Sequence, residues 1–216
     1  AYKGVEPVNN VLAAVNRLGA STTQSLAFSL AVSELFQSDS PLVEARLKQL
    51  YAYSVELGAL CFSIADRCPE LDREQALLLG LICHIGAIPL LAYTGDKDKF
   101  SESHNGIDDL LKNLGCITTE LVLTQWGFDP QASHVCDNCK APNIVNVNKP
   151  ITYTDVLQIA GLWLQTDFLG NKQSVLDDTD HPLQQKLKMN GIAASREEFI
   201  QTMAEELEAT RQLLAG

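Results

Sequence analysis

Apolar residues recur at three- and four-residue steps along most of the chain, with polar residues filling the gaps. Val8, Leu12, Val15 and Leu18 form one such series, closed by Gly19, and predict a helix with a glycine stop. Ser21 and Thr22 stand where N-caps belong for a second helix carrying Leu26, Leu30 and Leu35. Ser40-Pro41 sets a cap residue before a proline at the first helical position. Leu47, Leu50, Val55, Leu57, Leu60, Cys61 and Ile64 then predict a long helix ending near Cys68-Pro69. Asp72 followed by Gln75 reads as a capping box. It opens a helix from about 73 into an uncharged run over 76–93, whose end Gly86 and Pro89 blur.

The second half is broken more finely. Ile107 to Leu114 predicts a short helix stopped at Gly115, and Thr119 to Trp126 another stopped at Gly127. Asp129-Pro130 starts a helix reaching about Cys139, and APNIVNVNKP over 141–150 reads as a linker. Asp155 to Phe168 predicts a helix with Val156, Leu157, Ile159, Ala160, Leu162 and Trp163 apolar, followed by a loop over 170–182. Ser195 with Glu198 is a second capping box, opening a last amphipathic helix through Phe199, Met203, Leu207 and Leu213-Leu214. Runs of period two are few and short (IVNV, ITYT), so the fold class is all-α.

Composition narrows the function classes. The chain has 216 residues, 46% of them hydrophobic and 20% charged, enough for one domain with a sizeable core. Lys and Arg total 16 against 27 Asp and Glu, a net charge of -11. No basic cluster exists to grip a polyanion, which argues against nucleic acid and against an anionic membrane surface. The uncharged run spans 18 residues, the lower edge of a membrane crossing. Its His84, Pro89 and internal glycines, with no second span following, favour a helix buried on all sides. The start, AYKGVEPVNN, has no apolar leader. A cytoplasmic protein with reduced thiols at Cys61, Cys68, Cys83, Cys116, Cys136 and Cys139 is expected.

The strongest local feature is Leu81-Ile82-Cys83-His84-Ile85-Gly86. It resembles the LLHDIG core of the HD phosphohydrolase superfamily, and the chain resembles more closely the HDOD branch, a bacterial signalling module. Asn16-Arg17-Leu18-Gly19 is similar to the end of an early family helix. Tyr51-Ala52-Tyr53-Ser54 stands where HD enzymes carry a His-Ser pair. Glu120 to Phe128, with Trp126-Gly127, resembles the family's L-x-x-x-W-G segment, and Ile159-Ala160-Gly161-Leu162 an I/L-A-D-x pattern. The resemblance covers roughly residues 5 to 168 and implies an orthogonal helical bundle over 1–170, with 171–216 as an extension packed on it. It also implies that the family's first helices precede this start, which would leave apolar surface exposed near the 41–68 helix and favour self-association or a protein partner.

An HD hydrolase holds divalent ions with His nitrogens and Asp oxygens, and the ions generate hydroxide and clamp phosphate. Carried over by the resemblance, those ligand positions hold Tyr53, Cys83 and His84, Cys116, Asn138 and Cys139, and Gly161. No bridging carboxylate remains among them, and a hard magnesium or manganese site needs oxygen ligands. The resemblance therefore implies the fold without the hydrolysis, and no cofactor is expected. The leading expectation is a non-catalytic regulatory module that binds a protein partner, a linked sensor domain or its own copy. One alternative is a metal-dependent phosphohydrolase with a rearranged site. Another is a thiol sensor, with zinc on Cys83, Cys116, Cys139 and His84 or redox chemistry at Cys136-Asp137-Asn138-Cys139. Against the zinc reading, buried thiols also fill a vacated cavity as small hydrophobes.

The remaining polar residues have plain readings. His84 fits a core histidine bonded to a helix carbonyl, and Cys83-His84 makes a poor dyad because adjacent helical residues diverge. His104 and His181 fall in predicted loops, and His134 on a solvent face. Trp126 and Trp163 read as core anchors. Glu197, Glu198, Glu205, Glu206 and Glu208 serve helix starts and a solvated face, and Asp177, Asp178 and Asp180 are loop acids without EF-hand spacing.

Overall fold

The longest apolar series becomes the central element of the computed structural model. It describes residues 40–95, 104–130, 145–172, 181–193 and 195–215, with single positions at 15, 19, 20, 23, 27, 30, 31, 132, 134 and 136. Ser40 is extended and Pro41 occupies the first turn of α1 (Pro41–Ala65). From Leu57 to Ala65 every side of this helix is buried, so it runs through the middle of the core. It stops at Ala65, short of Cys68-Pro69, with Asp66 as C-cap.

Around α1 lie α2 (Arg73–Ile82), α3 (Ala87–Gly95), α4 (His104–Gln125), α5 (Tyr153–Trp163), α6 (Pro182–Met189), α7 (Arg196–Thr202) and α8 (Ala204–Ala215). Helices α2, α3, α5 and α8 pack directly on α1, α4 packs on α3, and α6 on α5. Positions 130, 132, 134 and 136 are also helical, where Asp129-Pro130 predicts a start. The described residues contain no strand, apart from an isolated bridge between Thr166 and Lys172. The all-α expectation holds.

Helix α1 meets α2 at glycines. A Cβ on Gly80 would lie 2.6 Å from the Gly58 Cα and 2.9 Å from its nitrogen. The two backbones touch, and no side chain fits between them. Asp72 caps α2 by accepting the Gln75 N–H at 2.9 Å. The capping box closes through a third residue: the Tyr153 hydroxyl accepts the Asp72 N–H and donates to Gln75 Oε1, both at 2.9 Å. The cap thus ties the start of α2 to the start of α5.

The uncharged run is not one helix. It bends through Cys83–Gly86 before α3 begins. Pro89 falls in the first turn of α3, where its missing N–H costs no helical bond. As a helix long and apolar enough to cross a membrane this segment qualifies by composition, and it is mostly buried within the fold.

Several other expectations are corrected. Gly115 does not stop a helix: α4 is continuous through it, because Gly115 is buried with its carbonyl against Gly86. Gly127 does stop it, at φ +74°, with Phe128 N–H bonding Leu123 O and Gly127 N–H bonding Thr124 O, a Schellman ending. His104 opens α4 rather than lying in a loop. Helix α5 ends at Trp163, five residues before Phe168. The last helix divides at Met203 into α7 and α8. Helix α6 escaped the periodicity, though Pro182 at its start and Leu183 and Leu187 four apart were its signal. His181 caps it through Nδ1. At the other end, Ala20 is already helical and the Thr23 N–H bonds Gly19 O, so that helix starts before Ser21. Trp126 is 45% exposed, not a core anchor, whereas Trp163 is 1% exposed. The apolar surface expected along 41–68 is buried. Exposed apolar side chains lie instead on α4, at Leu114, Ile117 and Leu121.

Helix α6 is held by a buried ion pair. Lys186 Nζ donates to Asp155 Oδ2 at 2.7 Å, with side-chain exposures of 5% and 13%. The same oxygen accepts the Thr152 N–H at 2.8 Å and hydroxyl at 2.6 Å, the cap of α5. Asp155→Ala therefore removes a cap and strands a buried ammonium, and is expected to cost about 3–5 kcal/mol. Lys186→Met, which leaves the cap of α5 intact, costs less; urea denaturation of both variants checks the order. Gly80→Ala forces α1 and α2 apart and is expected to lower stability by about 1–3 kcal/mol, overriding any gain in helix propensity. Gly161→Ala has the opposite sign, since its Cβ meets only the Tyr53 hydroxyl at 3.7 Å. A helical alanine there gains up to about 1 kcal/mol, read as a rise in the urea midpoint.

Candidate functional site

Three of the positions singled out in the sequence come together beside α1. Tyr53 is half-buried on α1, and its hydroxyl faces Gly161 on α5. His84 sits in the bend after α2, 7% exposed, with its ring centroid 5.4 Å from that of Tyr53 at an interplanar angle of 62°. The bend is built from short-range turns: Ile85 N–H to Ile82 O, Ala87 N–H to His84 O and Ile88 N–H to Ile85 O. Gly86 fixes its position, because the Gly86 backbone lies directly against that of Thr119 on α4. The Gly86 N–H also donates to Thr119 Oγ1 at 3.1 Å.

The other face of His84 is covered by Phe168. The two rings stack nearly parallel, 4.5 Å between centroids and 8° between planes. Phe168 is the residue that periodicity misassigns, since it lies beyond α5 in a tight loop. Asp167 organises that loop by accepting the N–H groups of Leu169 at 3.0 Å and Asn171 at 2.8 Å. Gly170, at φ +79° and against the Gln49 side chain, completes the turn. Arg46 then clamps it: Nη1 donates to Leu169 O, and Nη2 pairs with Asp108 of α4, both at 2.8 Å. The legible signal was Asp167-Phe168-Leu169-Gly170, an Asx-turn residue followed by a left-handed glycine.

Cys83 precedes His84 but serves a different neighbour. Its thiol is buried and lies 3.5 Å from Gly80 O, back along α2. Cys116 is half-buried on α4. Asn138 and Cys139 lie outside the described residues, as do Asp177, Asp178 and Asp180. His134 is exposed, in keeping with its sequence reading.

A divalent metal does not fit what is assembled here. Gly161 offers no side chain, Tyr53 presents a ring to the imidazole, and His84 alone supplies a nitrogen ligand. Among the described residues no three His, Cys, Asp or Glu side chains converge on one point. Phosphoryl chemistry on a clamped metal needs several oxygen or nitrogen ligands aimed inward. The arrangement is instead an aromatic plug, with an imidazole held between two rings.

The thiols differ sharply in access. Cys61, Cys68, Cys83 and Cys136 are buried. Burial, reinforced by the nearby Asp155 charge, pushes the Cys68 thiol up to about 11, which keeps it protonated and unreactive at neutral pH. In a Cys139→Ser background, Ellman's reagent at pH 8 is therefore expected to label one thiol of the native protein quickly. Cys116→Ser abolishes that fast phase and Cys68→Ser leaves it unchanged.

Comparison with known proteins bears on the family and the fold. The family model for the HDOD domain matches residues 1–142. No curated protein matches. Two solved structures resemble the fold over nearly all of the chain. One is described as a "Putative metal-dependent phosphohydrolase" from Shewanella amazonensis SB2B: 20% identity, 99% of this chain and 75% of that one, TM-score 0.76. The other is an HDOD domain protein with unknown function from Geobacter sulfurreducens: 15% identity, 97% of this chain and 75% of that one, TM-score 0.64.

Proposed function

This chain belongs to the HDOD domain family, and we propose that it is a non-catalytic regulatory module, working in the cytoplasm through contact with a protein partner. One observation supports this reading: Tyr53 and His84, two of the positions to which the HD resemblance assigns metal ligands, are in ring contact with each other, and His84 also stacks on Phe168. The imidazole is stacked on Phe168 at 4.5 Å and meets Tyr53 edge-on at 5.4 Å. The residue opposite Tyr53 is Gly161, which contributes no donor. Hydrolysis of a phosphate ester by this superfamily's route has no ligand set among the described residues.

The contact half of the reading draws on α4. Leu114, Ile117 and Leu121 are spaced to lie along one side of that helix, and all three are exposed, Leu121 by 64%. Trp126, also exposed, lies just past the end of the helix and off that stripe. Exposed apolar residues grouped in this way favour a protein surface over solvent.

Two measurements test the two halves. Protein purified without chelator, then titrated with manganese and assayed on p-nitrophenyl phosphate and bis-p-nitrophenyl phosphate, is expected to give no metal-dependent turnover. Turnover that disappears in His84→Ala would instead support a rearranged phosphohydrolase. For the contact surface, a photo-crosslinking residue at position 121 is expected to give a discrete protein adduct in the native cell. The same residue at exposed Gln201 is not, and equal labelling at both would reject α4 as the contact face.

A further inference from the structure

A cleft of about 520 Å³ opens on the far side of Tyr53. Its walls come from α1, the end of α5 and the segment after it, α7 and α8. That volume suits a small organic ligand. Its formal charges sum to zero, Glu56 and Asp167 against Arg196 and Arg211, but they are not all paired with one another. Arg211 Nη2 lies 2.8 Å from Glu56 Oε2, so that pair neutralises itself. The Asp167 carboxylate is engaged by the N–H groups of Leu169 and Asn171 and by Asn171 Nδ2. Arg196 is different. Its Nε donates to Trp163 O at 2.9 Å, which orients the guanidinium, and no carboxylate among the described residues pairs with it. In a chain of net charge -11, an oriented and uncompensated guanidinium on a cleft wall is an anion site in the making.

The rest of the wall sets the class of anion. Ile200 supplies accessible apolar surface, and Trp163 and Leu60, 1% and 2% exposed, back the same wall. The Trp163 indole N–H is buried with no hydrogen-bond partner among the described residues, an unmet donor on the same wall. Two carboxylates, Glu56 and Asp167, also line the cleft. They oppose a dianion, so the one guanidinium without a carboxylate partner among the described residues suits a monoanion at most. We propose that this cleft binds a small carboxylate-bearing molecule, its carboxylate on Arg196 and its apolar body against Trp163, Leu60 and Ile200. Tyr53 lines this cleft and also touches the His84 ring, so occupancy is felt at the plug as well as along α7 and α8. The site is independent of whether the module hydrolyses anything.

The chain has two tryptophans, so Trp126→Phe leaves one indole N–H signal, that of Trp163, in a ¹⁵N correlation spectrum. Titration with 4-phenylbutyrate is expected to shift it saturably with a Kd of roughly 1–5 mM, a typical strength for so small a ligand. The neutral 4-phenylbutyramide and the dianionic phenyl phosphate are expected to bind at least fivefold more weakly. Arg196→Gln should weaken the carboxylate tenfold or more. Ile200→Glu, which keeps the Arg196 to Trp163 bond but gives the guanidinium an internal partner, should do the same if Arg196→Gln disturbs folding. No shift with phenylbutyrate, equal binding of the amide, a preference for phenyl phosphate, or unchanged affinity in both variants would each overturn the proposal.

Discussion

The backbones of α1 and α2 are in contact where Gly80 lies against Gly58, and the position of everything near His84 follows from that contact. With no side chain between them, α2 approaches α1 as closely as two helices can. The bend at Cys83–Gly86 is therefore delivered next to Tyr53. The second glycine approach, Gly86 on the α4 backbone, fixes the far side of the bend. Between them the two contacts leave His84 little freedom. A larger residue at either place would move the imidazole away from its ring partners without touching it directly.

Polar contacts that look peripheral serve the same end. Arg46 binds Asp108 on α4 and the Leu169 carbonyl together, so one buried guanidinium registers α4 and the Phe168 loop against α1. Tyr153 completes the cap of α2 from the start of α5, and Asp155 holds Lys186 of α6. Hydrogen bonds between elements, in a bundle whose helices are otherwise packed by apolar side chains, fix rotation and register where hydrophobic burial alone is permissive. The C-terminal helices belong to this scheme too, since Arg211 pairs with Glu56 and the Tyr51 hydroxyl bonds Leu214 O.

The comparison with known folds and the local chemistry point in different directions, and the difference is informative. The backbone is that of HDOD proteins, one of whose structural relatives carries the name of a metal-dependent phosphohydrolase. The residues at the positions that the resemblance assigns to metal ligands are Tyr53, Cys83, His84, Cys116, Asn138, Cys139 and Gly161, with no carboxylate among them. A fold can keep its packing while its site changes, because helix packing depends on side-chain volume and small-residue contacts, whereas a metal site depends on a few particular donor atoms.

Starts of helices are written locally and can be read: Asp72 and Ser195 each accept a backbone N–H three residues on, and Pro41 opens α1 although Ser40 makes no side-chain cap bond. The likeness to HDOD proteins was readable too, in the order of Asn16 to Gly19, the Cys83-His84 segment and Trp126-Gly127. Ends and breaks were not. Gly115 signals a stop in isolation, yet α4 runs through it, because the glycine is used for close approach to Gly86 rather than for a turn. Phe168 looks like the last apolar position of a helix until the Asp167 turn and Arg46 carry it over to His84. The sequence by itself determined the all-α class, most helix starts and the identities at the inherited site. Packing across helices brings Tyr53 edge-on and Phe168 face-on to His84, and sets Arg196 on a cleft wall with no acid partner among the described residues. Those facts depend on residues more than 30 positions apart meeting across packed helices, and no local pattern encodes such a meeting.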